Sequence, residues 1–257
     1  MYIYLSATIT VIMFNGIRLK QRIKSRLLSK ARVVEISKCV HYCGFRYGQN
    51  EYNPYETYII GLHEGKNEEA LKEQFIDFLR YYRPTSFGEA LGVDLSKKYP
   101  LWQYPWSSFI DPGYNAYDMS PERIPDIITH FSAKGIPFKI IENEFSALKS
   151  AYQSISLNGY LPRKYGYAEV LVLKNKEANA YILLDGNHRA SALSALGYKN
   201  METRIFIGNI VDRSDVKNWP GVKSSFFTED DALHIFDVYF EGNHHYRTTD
   251  TPAPVIY

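Results

Sequence analysis

The stretch from Glu169 to Ile207 constrains the fold more than any other part of the chain. Two apolar runs, Glu169–Leu173 (EVLVL) and Tyr181–Leu184 (YILL), flank a polar turn (NKEAN) and read as a β-hairpin. The second run passes directly into Asp185-Gly186-Asn187-His188-Arg189. A short helix of small residues (ASALSALGY) follows at once, with Ala192, Leu193 and Leu196 inward and Gly197 as its stop. Met201–Ile207 (METRIFI) supplies another strand. This grammar predicts an α+β chain built on a small mixed sheet with flanking helices.

The junction between YILL and the small-residue helix carries the chemistry. A helix start presents unpaired backbone N–H groups and a partial positive charge. Gly186 removes a side chain, so an anionic group can approach the backbone closely. His188 and Arg189 add side-chain donors, the guanidinium being permanently charged and capable of bidentate contact. Asn187 stands between them and Gly186, and Ser191 offers a hydroxyl one turn further on. Together these residues make an anion cradle, for which phosphate is the natural occupant. Asp185 would repel that phosphate unless a cation intervened, and Mg²⁺ shared between carboxylate and phosphate oxygens is the expected mediator. The plainer alternative makes Asp185 a helix cap and the rest a surface turn.

Elsewhere the elements follow from spacing and stop signals. Ile136–Ile141 (IPFKII) reads as a strand, and residues 144–157 as a helix with Phe145, Leu148, Tyr152 and Ile155 on one face, stopped by Asn158-Gly159. Ser120-Pro121-Glu122 starts another helix that Gly135 ends. Residues 66–83 predict a helix with Leu71, Phe75, Phe78 and Leu79 as its stripe, Asn67 as its cap and Pro84 as its terminator. A last helix is expected over about 229–241, with Ala232, Leu233, Phe236 and Phe240 apolar and Gly242 as the stop.

The segment YILLDGNHRASALSALGYKNMETRIFI resembles the signature of the ParB/sulfiredoxin-like fold, and the likeness extends over about residues 137–210. In that family a strand, a glycine-containing loop and a helix of small residues bind the phosphates of a nucleotide. Asn187 stands where sulfiredoxins carry their reactive cysteine, which argues against sulfinic acid reduction. Asn187 and His188 replace the Glu-Arg of the partitioning-protein box, and no helix-turn-helix pair follows residue 207, which argues against a DNA clamp. The loop is most similar to the Asp-Gly-His-His/Thr-Arg loop of the free serine kinases of this fold, with Asn187 as a departure. The resemblance implies ATP or ADP with Mg²⁺, phosphates held by Gly186, Asn187, His188, Arg189 and Ser191, and Asp185 as the metal ligand. It further implies a glutamate about forty residues upstream as general base, an interval that holds Glu142 and Glu144, of which Glu144 is preferred. Arg163, in the turn LPRKYG, is a further candidate phosphate contact against a plain solvated arginine.

The function expected is therefore transfer of phosphate to a hydroxyl group of a small amino-acid-like or sugar-like molecule. The alternative is a non-catalytic nucleotide-binding module associated with DNA or a protein partner. Net charge bears on this choice: 30 Lys plus Arg against 28 Asp plus Glu leaves only +2, which gives nucleic acid no global electrostatic grip.

Residues 1–110 match no pattern and are treated as an α-rich extension of unknown role, with residues 111–257 as the nucleotide-binding domain. Residues 1–14 carry no charge and favour a strand, and Met13 is an alternative start for translation. Residues 17–34 hold seven basic residues with Ile17, Ile23, Leu27 and Val34 near one face. They read as a solvated basic helix or as one resting on anionic lipid or a partner. Cys39 and Cys43 enclose a histidine but lack a second ligand cluster for zinc, so buried thiols are expected. His244 and His245 are adjacent rather than one turn apart and read as loop. Residues 98–125 are dense in proline and aromatics; Trp102, Tyr104, Trp106, Tyr114 and Tyr117 either pack over the core or wall a binding site for the acceptor. Two cysteines suit a reducing compartment, and no apolar run reaches the roughly 18–20 residues of a spanning helix, so a cytoplasmic or membrane-peripheral location is expected.

Overall fold

The computed structural model describes residues 29–48, 53–81, 84, 86–101, 103–107 and 138–242. The readings made for residues 1–28, the helix begun at Ser120, the rings Trp102, Tyr114 and Tyr117, the pair His244-His245 and the C-terminal tail lie outside them.

The protein is α+β. Strands β1 (Ser29–Glu35), β2 (Cys39–Val40), β3 (Ala168–Asn175), β4 (Ala178–Asp185) and β5 (Asn200–Asp212) form one mixed sheet in the order β1-β5-β3-β4-β2. The β3–β4 hairpin is antiparallel, β3 and β5 run parallel, and β2 lies parallel to β4. Two strands of the first forty residues therefore border the sheet built by residues 168–212.

The first of these strands corrects the basic-helix expectation for its C-terminal part. Residues 29–35 pair antiparallel with β5 along their whole length, Ser29 opposite Phe206 and Glu35 opposite Asn200. The β-branched pair Val33-Val34 suits the pleat, with Val34 buried and Val33 exposed. Lys30 and Arg32 sit on a bordering strand, where charge discourages further pairing.

Side chains alternate across the sheet, and each face has its own core. Leu173, Ile182 and Val211 face a cluster with Phe87, Leu91, Trp219, Phe236 and Tyr239. Ala168, Val170 and Leu183 face Ala190, Leu193 and Met201. The helix Asn187–Ala195 thus covers one face and Glu229–Glu241 the other. The second of these buries Ala232, Ile235, Phe236 and Tyr239, with Leu233 and Phe240 partly covered.

Tyr104 and Trp106 pack against the core under Glu229–Glu241. Trp106 meets Trp219 edge-on at 5.5 Å, and Tyr104 meets Phe87 edge-on at 5.5 Å. Among the described aromatics of the proline-rich segment, the packing role is the one realised.

Cys39 and Cys43 are free, fully buried thiols. Burial pushes Cys39 up to about 12 and Cys43 well above its ordinary value.

Of the strand expected at IPFKII, the described residues 138–141 are helix instead. Residues 138–158 form one continuous helix. Its apolar spacing, Ile141, Phe145, Leu148, Tyr152 and Ile155, is helical from the start, and a run of six apolar-rich residues has no periodicity of its own to reveal it. By contrast, helix Glu68–Tyr81 forms as expected, with the Asn67 Oδ1 accepting from the Ala70 N–H at 3.0 Å. Phe145 and Leu148 pack on Tyr58, Leu71 and Phe75, and Lys149 pairs with Glu68 at 2.7 Å. These contacts set the rotation of the 138–158 helix and hence the direction of Glu144.

Asp231 clamps the start of the last helix. Its carboxylate accepts from the Ser96 N–H at 2.9 Å, and from the Ser96 and Tyr99 hydroxyls. Burial pushes its pKa up, but the bonds from Ser96, Tyr99 and Thr228 outweigh burial and hold it below the ordinary aspartate value. A group with a depressed folded-state pKa stabilises above its unfolded value and loses that contribution as pH falls through the folded one. Asp231→Ala is therefore expected to cost about 2–3 kcal/mol at neutral pH. In urea titrations the gap between variant and wild type should narrow below about pH 4; a gap of constant size would show that ionisation of Asp231 contributes nothing.

Candidate functional site

Strand β4 ends at Asp185, and the chain reverses at Gly186 with φ +97° before the helix Asn187–Ala195 begins. A side chain is excluded there twice over. A Cβ on Gly186 would stand 2.7 Å from the Ala168 Cβ, and the positive φ disfavours any L-residue. The first helical bond runs from the Ala190 N–H to the Gly186 carbonyl at 2.9 Å. The N–H groups of Asn187, His188 and Arg189 thus sit in the helix's first turn, where no intrahelical acceptor precedes them.

Arg189 is fixed by two acceptors. Its Nη2 donates to Asp185 Oδ2 at 2.9 Å, and its Nη1 donates to the Gly166 carbonyl. Asp185 itself remains largely exposed, at 64%. His188 Nε2 lies 2.6 Å from Glu144 Oε1, so the carboxylate from one helix and the imidazole from another meet across the site. Glu144 is only 12% exposed and His188 32%. Asn187 Oδ1 accepts from the buried Tyr47 hydroxyl at 3.0 Å.

These groups open onto a cavity of about 330 Å³ lined by Asp185–Arg189, Glu144, His41 and Tyr55. Ala147 and Ala151 lie on the same helix face as Glu144 and keep the wall beside it low. His41 and Tyr55 stack with ring centroids 4.8 Å apart, giving the cavity an aromatic floor. Burial, reinforced by the charge of Glu144, holds the Tyr55 phenol well above its ordinary value, so it stays protonated.

Several sequence candidates thus come together and others do not. Asp185, Gly186, Asn187, His188, Arg189 and Glu144 share the cavity. Glu142 is exposed and absent from the lining, because two residues along a helix rotate a side chain by about 200°. Ser191 is fully buried, and its Oγ donates back to the Asn187 carbonyl at 3.1 Å. Arg163 is exposed on a short helix, Pro162–Tyr165; that segment reaches the site through the Gly166 carbonyl instead. His41, Tyr47 and Tyr55 were not legible as site residues. They stand 130 or more positions away from the loop, and no spacing rule links them to it.

Compared with protein-family models, with curated proteins and with solved structures, the chain gives no match in any of the three. No helix among the described residues is long and apolar enough to cross a membrane. The described residues also contain no group of three or more His, Cys, Asp or Glu placed to hold a metal ion. The carboxylates that line the cavity are Asp185, whose Oδ2 accepts from Arg189 Nη2, and Glu144, whose Oε1 faces His188 Nε2; one or two carboxylates is the number Mg²⁺ commonly uses beside phosphate oxygens and water.

Proposed function

We propose that this chain is a phosphotransferase of the ParB/sulfiredoxin-like kind, moving phosphate from ATP or ADP to a hydroxyl group of a small molecule. The observation that carries the reading is the meeting of the Glu144–His188 pair with the Asp185–Arg189 junction at one cavity. Phosphoryl transfer asks a protein mostly for positioning and charge neutralisation. The first-turn N–H groups and Arg189 provide donors for phosphate oxygens, and the glycine lets those oxygens approach the backbone.

Asp185 would hold Mg²⁺, which supplies charge neutralisation on the phosphates. Glu144 lies where an acceptor hydroxyl would enter beside His188. It takes the hydroxyl proton as the acceptor oxygen bonds to the terminal phosphorus and the bond from that phosphorus to the remaining nucleotide breaks. His188, held by Glu144 through Nε2, stabilises charge on the transferring group. A near-neutral chain favours a small acceptor over a nucleic acid.

The test is ADP or AMP release with ATP or ADP, Mg²⁺ and a panel of amino-acid and polyol acceptors. A stimulated release is the expected result. If no acceptor stimulates turnover and a nucleotide still raises the melting temperature, the chain is a binding module instead. Asp185→Ala should abolish transfer while lowering stability by no more than about 1 kcal/mol, because exposed ion pairs contribute little. A fully active variant would remove Asp185 from the mechanism.

A further inference from the structure

We infer that Tyr47 is a positioning residue that sets which end of the Asn187 amide faces the cavity, and so makes Asn187 a donor to a phosphoryl oxygen. The inference rests on the phosphate-binding reading above and adds a residue from the other end of the chain to it.

The argument is one of hydrogen-bond polarity. Tyr47 is fully buried, and its hydroxyl donates to Asn187 Oδ1 at 3.0 Å. The Asn187 oxygen is thereby engaged, and the end left for the cavity is its NH₂.

The orientation is built in rigidly. Beside Tyr47, the Gly48 N–H donates to Glu56 Oε1 at 2.7 Å, and the helix Pro54–His63 that carries the buried Glu56 packs against the Asn187 helix. The turn carrying Tyr47 is therefore tied to the same helix that begins with Asn187. An amide NH₂ next to three first-turn N–H groups and Arg189 makes this rim of the cavity rich in donors, which selects a ligand oxygen that is an acceptor only. A doubly ionised terminal phosphate fits that description, and a neutral hydroxyl fits it poorly.

The test is calorimetric titration of wild type, Tyr47→Phe, Asn187→Ala and the double variant with ADP and Mg²⁺, with thermal melts to confirm folding. Asn187→Ala should weaken binding about tenfold, the worth of one hydrogen bond to a charged group. Tyr47→Phe keeps the ring and should weaken binding about three- to tenfold, because the amide is then free to turn its oxygen to the phosphate. The decisive readout is coupling: Tyr47→Phe should have no further effect once Asn187 is alanine, whereas a general packing defect would add in full. Wild-type affinity in Tyr47→Phe, or additive losses in the double variant, would overturn the inference and leave the phosphate site standing. Failure of the wild type itself to bind ADP would overturn both.

Discussion

Alanine at Gly186 is expected to destabilise the protein by about 2–4 kcal/mol and to abolish nucleotide binding together. Two costs act at once. The backbone there has φ +97°, which an L-residue adopts at a cost of about 1–2 kcal/mol. The added Cβ would also stand 2.7 Å from the Ala168 Cβ, 3.1 Å from its Cα and 3.2 Å from Arg189 Nη2. Ala168 is a fully buried strand residue paired with β5, so it cannot retreat without shifting the sheet. Arg189 would be displaced from its bonds to Asp185 and Gly166, and the first turn of the helix would move with it. Urea denaturation measures the first effect and calorimetry with ADP and Mg²⁺ the second. An alanine variant with wild-type stability would mean that the tight packing of strand end on strand start is not needed to hold this turn.

This glycine also shows how far the sequence could be read. The hairpin, the Asp185–Arg189 reversal and the helix after it were legible because all their constraints are local: alternating apolar residues, a turn, a glycine and a stop signal within about thirty residues. The C-terminal helix was legible for the same reason, its stripe running unbroken to Gly242. Residues 138–141 were misread as strand because a short apolar run fits either period, and what decides it is packing of the following Phe145 and Leu148 on Tyr58 and Phe75. The basic run from Ser29 to Glu35 became a strand because a partner some 170 residues later offered it an open sheet edge, which no local pattern can announce. The site divides along the same line. The Asp185–Arg189 loop was visible, whereas Tyr47, His41 and Tyr55 are brought to it only by the return of the N-terminal half onto the sheet. Glu144 was already preferred over Glu142 from the sequence, and the rotation of the helix supplies the reason only Glu144 lines the cavity.

The replacement Glu144→Gln is expected to lower kcat by about 10²–10⁴-fold while leaving the affinity for ADP within about threefold of wild type. Glutamine keeps the size and can still accept from His188 Nε2 through its amide oxygen, so the 2.6 Å contact has a neutral substitute. What it loses is the capacity to take a proton. Nucleotide phosphates are assigned to the first-turn N–H groups, Asn187 and Arg189, none of which touches Glu144, so binding and chemistry should separate. Glu142→Gln is the matched control: it lies two residues away, exposed and outside the cavity lining, and should leave kcat unchanged. If Glu144→Gln retained full turnover, or if both variants lost it equally, the carboxylate beside His188 would not be the base. The donor-rich loop would then remain as a phosphate-binding device whose proton acceptor lies elsewhere.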